Sequence, residues 1–549
     1  AGRLENEGPE PGSLHLREAL PAADVIGGLA QSPRHVDCAP AAAQQGRPMD
    51  HQDVIIIGAG ISGVSAAWHL QTMCPSRSYT ILEGRKAVGG TWDLFQYPGI
   101  RSDSDMHTLG FIFKPWKEAK AIADGPSILR YVNDTIDEHD IRQHIRFGHK
   151  VVSASWSSQE AAWTVEADHN GQTVRMGCNM LLMCGGYYKY DDPYHPEWGG
   201  MDTFKGTLIH PQHWPEDLDY QSKKVVVIGS GATAMTIVPA MAQNGAEHVT
   251  MVQRSPTYVV SWPSQDVIAN RLRKWLPGKL AYALTRWKNV KNDLDFYHRT
   301  RTEPKKVKAE LVGLVKQALG SQYDVEKHFT PSYDPWDQRL CLIPDDDLFD
   351  VINDGSASVV TDTIDHFAED GLQLTSGEFL KADIIISATG LQLQIMNGVS
   401  LNVDGKPVNM PDHWSYKGMM LSDVPNLVQT FGYVNASWTL RADLTSEWAC
   451  RLINRLDETG NRQATPRVAD ENRDMPARPW IDDFPAGYMQ RSMHLFPKQG
   501  DRNPWRNTQD YGEDKKLVKY DPVEDAELEF GNPSSDSAAH TQAAINKAA

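Results

Sequence analysis

The sequence predicts an α/β fold in which parallel strands alternate with helices. Short runs of β-branched residues recur along the chain, the clearest at 54–57, 225–228 and 384–386. Runs this apolar are typical of strands that helices cover on both faces. Two of these runs lead into glycine-rich turns followed by helical sequence, and this order predicts two Rossmann-like dinucleotide-binding domains.

The first glycine-rich turn reads GAGISG. Gly58 makes the tight turn, Gly60 lets the backbone approach a pyrophosphate, and Gly63 allows the helix to pack closely on the strand. The next strand ends in Glu83, where an acid accepts a hydrogen bond from a ribose 2′-hydroxyl and repels a 2′-phosphate. This turn therefore predicts a site for FAD or NAD rather than for NADP.

The second glycine-rich turn reads GSGATA, with Gly229 and Gly231 in the first two glycine positions and Ala234 in the third. The strand that follows ends just before Arg254 and Ser255. A guanidinium and a hydroxyl at this position suit a 2′-phosphate through charge-assisted hydrogen bonds. The second turn therefore predicts an NADPH site.

Composition narrows the function classes. The chain has 549 residues, a net charge of −17 and 40% hydrophobic residues, which indicates a globular protein of several domains and argues against a general nucleic-acid binder. Its six cysteines show no C-x-x-C spacing, so neither a metal site nor a redox disulfide is predicted. Few cysteines and no apolar run long enough to span a membrane predict a cytoplasmic protein.

FAD and NADPH together imply hydride transfer from nicotinamide to flavin. A disulfide reductase would need a cysteine pair soon after the first turn, but only Cys74 lies nearby. Dioxygen is the next candidate for the acceptor of the flavin electrons.

Two longer motifs carry a family resemblance. Residues 204–215 match the pattern F-x-G-x3-H-x3-W-P/D, whose specified positions are filled by Phe204, Gly206, His210, Trp214 and Pro215. A second pattern runs from Gly90 and Trp92 through Tyr97-Pro98-Gly99 to Asp103. From Met49 to about residue 525 the chain resembles the Baeyer–Villiger flavoprotein monooxygenases, and most closely their ethionamide-activating branch.

The resemblance implies an enzyme that uses FAD, NADPH and dioxygen to convert ketones into esters, with oxygenation of sulfides and thioamides as a side activity. It places Val151 beside the adenine and Arg101, Ser102 and Asp103 beside the nicotinamide, with Asp103 next to the flavin ring. The residues implied to line FAD are Ser62, Glu83, Thr91, Trp92, Asp93 and Leu94. The residues implied to hold NADP are Ser230, Gly231, Ala232, Thr233, Ala234, Met235, Thr236, Arg254 and Ser255.

The resemblance also identifies Arg339 as an active-site arginine. A guanidinium lowers the pKa of a neighbouring acid and so favours a deprotonated, carbonyl-attacking oxygen. It also stabilises the oxyanion formed on attack. A buried arginine needs a counter-ion, and Asp103 is the predicted one. Better-known members of the wider family have Lys where this chain has Gln338, which predicts weaker discrimination against NADH.

The implied architecture is a discontinuous FAD domain, 49–190 and 380–530, around an NADP domain at 191–379. A helical insert is expected at about 265–320, with helical stretches at 271–286 and 305–319. Residues 1–48, which lack signal-peptide features, are predicted to be a disordered extension, and 531–549 a disordered tail.

Several alternatives stay open. The enzyme alternative is a flavin monooxygenase limited to sulfur or nitrogen oxygenation, and the non-enzyme alternative is a redox-sensing dinucleotide-binding protein. A structural hydrogen bond is favoured over a chemical role for His210, and Trp438 is placed equally well in a substrate pocket or the core. Residues 271–316 hold 13 Lys/Arg against 4 Asp/Glu; a solvated face is favoured, with weak contact to an anionic membrane as the alternative. A homo-oligomer is neither indicated nor excluded.

Overall fold

A computed structural model describes residues 49–482 and 486–533. The predicted N-terminal extension, 1–48, lies outside the described residues. Strands and helices alternate along most of the remaining chain. The strands are β1 Asp50–Ile57, β2 Tyr79–Glu83, β3 Ile145–Phe147, β4 Lys150–Ser157, β5 Ala162–His169, β6 Gln172–Met183, β7 Thr207–Ile209, β8 Lys224–Ile228, β9 His248–Gln253, β10 Val259–Trp262, β11 Cys341–Pro344, β12 Ala357–Thr361, β13 Ile364–Ala368, β14 Gly371–Leu374, β15 Phe379–Lys381, β16 Ile384–Ser387, β17 Ser400–Val403, β18 Lys406–Pro407, β19 Ser415–Tyr416, β20 Met420–Leu421, β21 Leu427–Gln429, β22 Gln463–Pro466 and β23 Leu528–Gly531.

The helices range from single turns to seven turns. They are α1 Ile61–Met73, α2 Thr91–Leu94, α3 Met106–Leu109, α4 Gly125–Glu138, α5 Ala232–Gln243, α6 Val267–Trp275, α7 Gly278–Thr302, α8 Pro304–Leu319, α9 Val325–Phe329, α10 Asp347–Asn353, α11 Trp438–Thr459, α12 Gly487–Ser492 and α13 Tyr511–Asp514. Short 3₁₀ turns lie at Arg142–His144, Met201–Thr203, Pro211–His213, Ile395–Gly398, Met410–Asp412, Asp470–Asn472 and Met493–Leu495, and a π-helical turn at Lys515–Tyr520.

The first sheet has nine strands and is built around β1, which lies between β2 and β6 with both neighbours parallel to it. Residues 54–57 of β1 are fully buried because helices cover one face and further apolar side chains the other. Helix α1 returns from β1 and packs against α11, whose inner side is almost wholly buried. The glycine-rich turn between β1 and α1 therefore sits at the carboxyl edge of a parallel sheet, where such folds bind ligands.

The second sheet has the order β12-β9-β8-β16-β7, and its strands are all parallel. The first sheet also contains antiparallel pairs, β4 with β5 and β5 with β6, beside its parallel centre. With two sheets that each carry one glycine-rich turn after a parallel strand, the predicted fold class is confirmed. One boundary needs correction: β16 joins the second sheet, between β8 and β7, whereas the predicted FAD segment starts at 380. A short β-branched run suits the interior of either sheet, so its composition does not show which sheet it joins.

The helical insert is present, but its first predicted helix is divided. Leu276 is extended, with φ −119° and ψ 153°, and separates α6 from α7 within the stretch predicted at 271–286. The cause is Pro277, because a proline ring disfavours helical backbone in the residue before it. At the other end of the chain, Gly531 belongs to β23 and pairs with Gln463, so the predicted tail begins inside a strand; residues 534–549 lie outside the described part.

No helix in the described ranges combines the length and apolar character needed to cross a membrane. Within the same ranges, no group of three or more His, Cys, Asp or Glu is placed to hold a metal ion.

Candidate active site

A cavity of about 1100 Å³ is lined by both glycine-rich turns and by Arg339. Most of the predicted site residues meet there. Those that line it are Gly58, Gly60, Ser62, Glu83, Thr91, Trp92, Leu94, Arg101, Ser102, Asp103, Val151, Gly229, Ser230, Gly231, Ala232, Thr233, Thr236, Arg254, Ser255 and Arg339. Those that do not are Gly63, Asp93, Ala234, Met235 and the motif residues Phe204, Gly206, His210 and Trp214.

The turn between β1 and α1 forms one end of the cavity. Gly58 has φ +100°, a conformation that favours glycine, and a Cβ on Gly63 would lie 1.9 Å from the Gly58 carbonyl oxygen. Gly60 caps α1 without a side-chain hydrogen bond, and the first turn of the helix holds no acid. The free N–H groups and the positive end of the helix dipole therefore suit a pyrophosphate.

Glu83 ends β2 beside this turn. Its Oε2 accepts a hydrogen bond from the backbone N–H of Ala59 and its Oε1 from that of Arg85, each at 2.8 Å. These bonds hold the carboxylate at the cavity wall, where each oxygen keeps a lone pair for a ribose hydroxyl. Arg85, which the sequence analysis missed, lines the cavity and lies 2.7 Å from Asp93. Asp93 does not line the cavity itself, but it forms an ion pair with Arg85, which does.

The turn between β8 and α5 forms the second nucleotide end. Gly229 has φ +129°, and a Cβ there would lie 2.3 Å from the Ala388 carbonyl oxygen. Gly231 has no atom within 4 Å of its Cβ position, so the backbone is open to a ligand, and it caps α5 without a side-chain bond or an acid in the first turn. Arg254 and Ser255 are exposed on the cavity wall, as a 2′-phosphate site requires. Ala234 and Met235 instead pack into the core beneath the helix.

Asp103 and Arg339 meet between these two ends. The Nε of Arg339 donates to Oδ2 of Asp103 at 2.9 Å, and Nη2 lies 2.6 Å from the same oxygen. Asp103 raises the pKa of Arg339 above its ordinary value, and the neighbouring tyrosine hydroxyls add to that effect. The Arg339 side chain is 39% accessible and lines the cavity, so a fixed positive charge faces the space that a substrate would enter.

Aromatic rings form the wall around Arg339. The Tyr187 ring stacks on Trp438 with centroids 5.2 Å apart, and its hydroxyl lies 3.0 Å from that of Tyr188. Trp438 Nε1 donates to Ser62 Oγ at 2.8 Å, and this half-buried tryptophan lines the cavity while it also packs against the core of the first domain. Burial raises the pKa of Tyr488 to about 12. The sequence analysis missed the three tyrosines; the only signal was that two of them follow a Gly-Gly pair at the end of β6.

Arg101 and Ser102 are held by the protein itself. Arg101 Nη1 lies 2.5 Å from Asp347 Oδ2, and Nη2 donates to the Met235 carbonyl at 3.4 Å. Ser102 Oγ donates to the Ser104 carbonyl at 2.7 Å. Both residues line the cavity, but the guanidinium is turned toward α10 and α5 and joins the segment before α3 to the second nucleotide domain.

The motif residues stabilise an edge of the second sheet. A Cβ on Gly206 would lie 2.4 Å from the Asp383 carbonyl, so only glycine lets β7 approach β16 this closely. His210 Nδ1 accepts a hydrogen bond from the backbone of Gln212 at 3.1 Å, and burial lowers the pKa of His210 to about 4. A neutral histidine away from the cavity supports the structural interpretation. Phe204 and Trp214 pack against neighbouring core clusters.

Two dinucleotide-type turns that open onto one cavity, with a charged pair between them, define a two-domain α/β oxidoreductase. Comparison with known families agrees with this class. Residues 119–310 match the model described as flavin-binding monooxygenase-like, and residues 56–124 match an NAD(P)-binding Rossmann-like domain.

Relatives extend the match over most of the chain. It is 53% identical over 481 residues to the FAD-containing monooxygenase EthA of Mycobacterium tuberculosis, covering 88% of this chain and 98% of that one. It is 48% identical over 479 residues to the probable FAD-binding monooxygenase AlmA of an Acinetobacter species, covering 87% and 96%. The chain therefore belongs to the flavin-binding monooxygenase family, and the predicted resemblance is confirmed.

Solved structures show the same fold at lower identity. An oxidized steroid monooxygenase bound to NADP superimposes with a TM-score of 0.69 at 20% identity, over 88% of this chain and 100% of that one. An open crystal structure of cyclohexanone monooxygenase gives the same values.

Proposed function

We propose that this monooxygenase uses FAD and NADPH to oxygenate small organic molecules, and that its characteristic reaction is the Baeyer–Villiger conversion of ketones into esters. The observation that carries the proposal is the Arg339–Asp103 pair, which lies in one cavity between two nucleotide-binding turns. Support for the cofactors comes from the similarity to an FAD-containing monooxygenase and from the fold shared with a steroid monooxygenase bound to NADP.

The residues of the first turn fit FAD. The uncapped N-terminus of α1 would hold the pyrophosphate, Glu83 the ribose, and the backbone at Val151 the adenine. Thr91, Trp92 and Leu94 line the same stretch of the cavity. When bound and reduced, FAD supplies the electrons that activate dioxygen.

The residues of the second turn fit NADPH. The open backbone at Gly231 and the uncapped N-terminus of α5 would receive its pyrophosphate, and Arg254 with Ser255 its 2′-phosphate. Gln338 lines the cavity where other members of the wider family have a lysine. A neutral side chain there predicts that the preference for NADPH over NADH rests mainly on Arg254.

Arg339 is the side chain that we propose takes part in the reaction. A carbonyl attacked by an anionic oxygen develops negative charge on its own oxygen, and a fixed guanidinium stabilises both anions. Asp103 orients this guanidinium through two contacts to one oxygen and offsets part of the desolvation penalty of the cation. The second Asp103 oxygen and the Nη1 side of Arg339 are free of this pairing.

The aromatic wall gives the cavity an apolar side next to Arg339. Tyr187, Tyr188 and Tyr488 have pKa values raised by burial, so their hydroxyls stay protonated at neutral pH. Their rings and that of Trp438 offer an apolar surface to a ketone, while the hydroxyls remain hydrogen-bond donors. The cavity therefore accepts an apolar molecule with one polar group.

The same cavity accommodates organosulfur compounds. A sulfide or thioamide attacks the activated oxygen with its own lone pair, so no oxyanion forms at carbon and the reaction depends less on Arg339. A monooxygenase limited to sulfur or nitrogen oxygenation would show this behaviour alone. The effect of replacing Arg339 on ketone oxygenation, compared with its effect on sulfur oxygenation, therefore distinguishes the two functions.

Product analysis tests the proposal. Purified FAD-loaded enzyme is incubated with NADPH and a phenyl ketone, or with a phenyl thioether, and the products are identified by mass spectrometry. We expect an ester from the ketone, and loss of the ester but retained sulfoxide with Arg339→Ala. A sulfoxide with no ester from any ketone would reject the Baeyer–Villiger assignment. Absence of substrate-stimulated NADPH oxidation would favour a non-catalytic dinucleotide-binding protein.

Dioxygen and a ketone or organosulfur molecule are the proposed reaction partners. A cytoplasmic location stays a prediction.

A further inference from the structure

Helices α6 and α7 present an unusual surface. Six large apolar side chains along them are exposed, and Trp275 and Trp287 are 85% and 66% accessible. We call this surface the insert face; its residues are Val267, Ile268, Trp275, Leu280, Leu284 and Trp287. On α7, Leu280, Leu284 and Trp287 follow a spacing of four and three residues, so they form one stripe along the helix.

The opposite side of α7 is already occupied by the protein. Tyr282 donates through its hydroxyl to the Phe111 carbonyl at 2.9 Å, and Arg286 donates to the carbonyls of His107, Thr108 and Gly110. Arg286 also lies 3.4 Å from buried Asp443 on α11. The inner side of α7 is therefore already packed, and the insert face is not the side of the helix that the protein core needs. It is an outward apolar surface on a helix that is firmly attached to the flavin domain.

Cations surround the apolar stripe. Arg271, Lys274 and Lys279 are exposed, and they form no ion pair with any residue in the described ranges. From residue 262 to 291 the chain has seven Lys/Arg and one Asp, although the whole protein carries a net charge of −17. The positive charge of an acidic protein is thus concentrated where its exposed tryptophans lie.

We propose that the insert face is a membrane-binding surface that lies in the interface of an anionic lipid bilayer. Indole rings are favoured at the boundary between headgroups and acyl chains, and exposed Leu, Ile and Val gain from entering it. Lysine and arginine beside them bind anionic headgroups. The insert face combines apolar side chains with cations that are unpaired within the described residues. An anionic bilayer offers both an apolar interior for the first and negative headgroups for the second.

Charge argues against a second copy as the occupant. A twofold interface places the same patch on both subunits, so Arg271, Lys274 and Lys279 of one copy would face their equivalents. Like charges brought together in an apolar contact are unfavourable. An anionic bilayer is complementary to the same cations.

Vesicle flotation of the FAD-loaded full chain tests this assignment. The probes are phosphatidylcholine vesicles with and without phosphatidylglycerol, at low and high salt. We expect the wild-type protein to float with the anionic vesicles and to be released by salt. Replacing the three cations together, Arg271→Gln, Lys274→Gln and Lys279→Gln, should weaken binding about hundredfold, at roughly fivefold per cation.

The apolar half is tested by Trp275→Ser with Trp287→Ser, which should also abolish flotation while NADPH oxidation with a water-soluble ketone stays at the wild-type rate. Matched controls are Tyr520→Ser, an exposed aromatic elsewhere, and Lys406→Gln, an exposed cation elsewhere, and both should float normally.

Three results would overturn the proposal. The first is failure of the wild-type protein to float with anionic vesicles at low salt. The second is equal flotation with neutral and anionic vesicles. The third is a concentration-dependent dimer that the tryptophan substitutions dissociate, with no binding to vesicles, because the face would then join two copies.

Discussion

Asp103 and Arg339 stand 236 positions apart, yet one oxygen of Asp103 contacts two nitrogens of Arg339, at 2.9 and 2.6 Å. Asp103 precedes α3 in the first nucleotide domain, and Arg339 precedes β11, which is hydrogen-bonded to β10. The pair therefore exists only when the chain segments from both domains are in place. We therefore expect activity to be sensitive to substitution of either residue of the pair.

Replacing Asp103 by Asn tests the orienting role. The amide is nearly isosteric but neutral, so Arg339 keeps its charge and loses its fixed direction. We expect ester formation to fall roughly tenfold to hundredfold while FAD stays bound, since oriented electrostatic groups contribute on this scale. Turnover and flavin absorbance are measured on the same sample. Asp365→Asn, at an exposed position, is the control; unchanged turnover in Asp103→Asn would remove the aspartate from the mechanism.

Arg254 should determine the affinity for NADPH. Arg254→Ala removes a charge-assisted hydrogen bond to a 2′-phosphate, and we expect the KM for NADPH to rise about tenfold to hundredfold with little change for NADH. Gln338→Lys should act in the opposite direction and sharpen the preference for NADPH. Steady-state kinetics with both nucleotides checks each variant. Equal effects of Arg254→Ala on NADPH and NADH would contradict the assigned phosphate contact.

The two glycine-rich turns should respond differently to a methyl group. A Cβ on Gly63 meets the Gly58 carbonyl at 1.9 Å, so Gly63→Ala should destabilise the protein by about 1–3 kcal/mol and reduce FAD retention. Gly231→Ala meets no atom within 4 Å and should raise the KM for NADPH without lowering the melting temperature. Thermal melts and flavin content distinguish them.

Gly313 provides the control for these two changes. It lies inside α8 with open space around its Cβ position. Gly313→Ala should leave both cofactor sites unchanged and stabilise the helix by up to about 1 kcal/mol. A similar loss of stability in all three variants would show that the close contact at Gly63 is not the cause.

The buried ion pair between Arg286 and Asp443 should support the joint between the insert and the flavin domain. Arg286→Leu leaves the Asp443 carboxylate buried without its cation, and we expect a loss of about 3–5 kcal/mol in unfolding free energy. Arg455→Leu, from a surface pair, should leave the unfolding free energy almost unchanged. Denaturant unfolding followed by flavin fluorescence measures both, and equal losses would contradict the importance of burial.

His210 predicts a pH dependence of stability. Burial lowers its pKa to about 4 in the folded protein, whereas an unfolded histidine titrates near 6.5. Between these values the unfolded chain binds more protons, so this residue makes folding less stable as the pH falls from about 6.5 to 4. His210→Gln should remove that contribution and flatten the profile relative to the wild type. Parallel profiles for the two proteins would show that His210 is not buried in its neutral form.

Local signals in the sequence predicted much of the fold and of the cofactor sites. The β-branched runs are strands, and Gly58, Gly63 and Gly229 occupy positions where a side chain does not fit. These features depend on contacts within one strand-turn-helix unit, so their spacing along the chain is sufficient evidence. The same reasoning identified Glu83 at the end of the next strand.

The features that the sequence did not reveal depend on contacts between distant segments. The run at 384–386 is equally suited to either sheet, and only its pairing with β7 and β8 assigns it to the second. Tyr187 and Tyr488 reach one wall from segments about three hundred residues apart. Asp93 lies in a motif, yet its partner is Arg85, whose role has no local pattern.

The hydrogen bond from Trp438 to Ser62 couples flavin binding to the size of the substrate pocket. Ser62 belongs to the turn that would seat the flavin phosphates, and Trp438 belongs to the wall that an organic substrate would touch. Enlarging the pocket by trimming this indole would therefore loosen the cofactor as well. Adaptation to bulkier molecules should accordingly proceed by changes at Tyr488, another residue of the cavity wall.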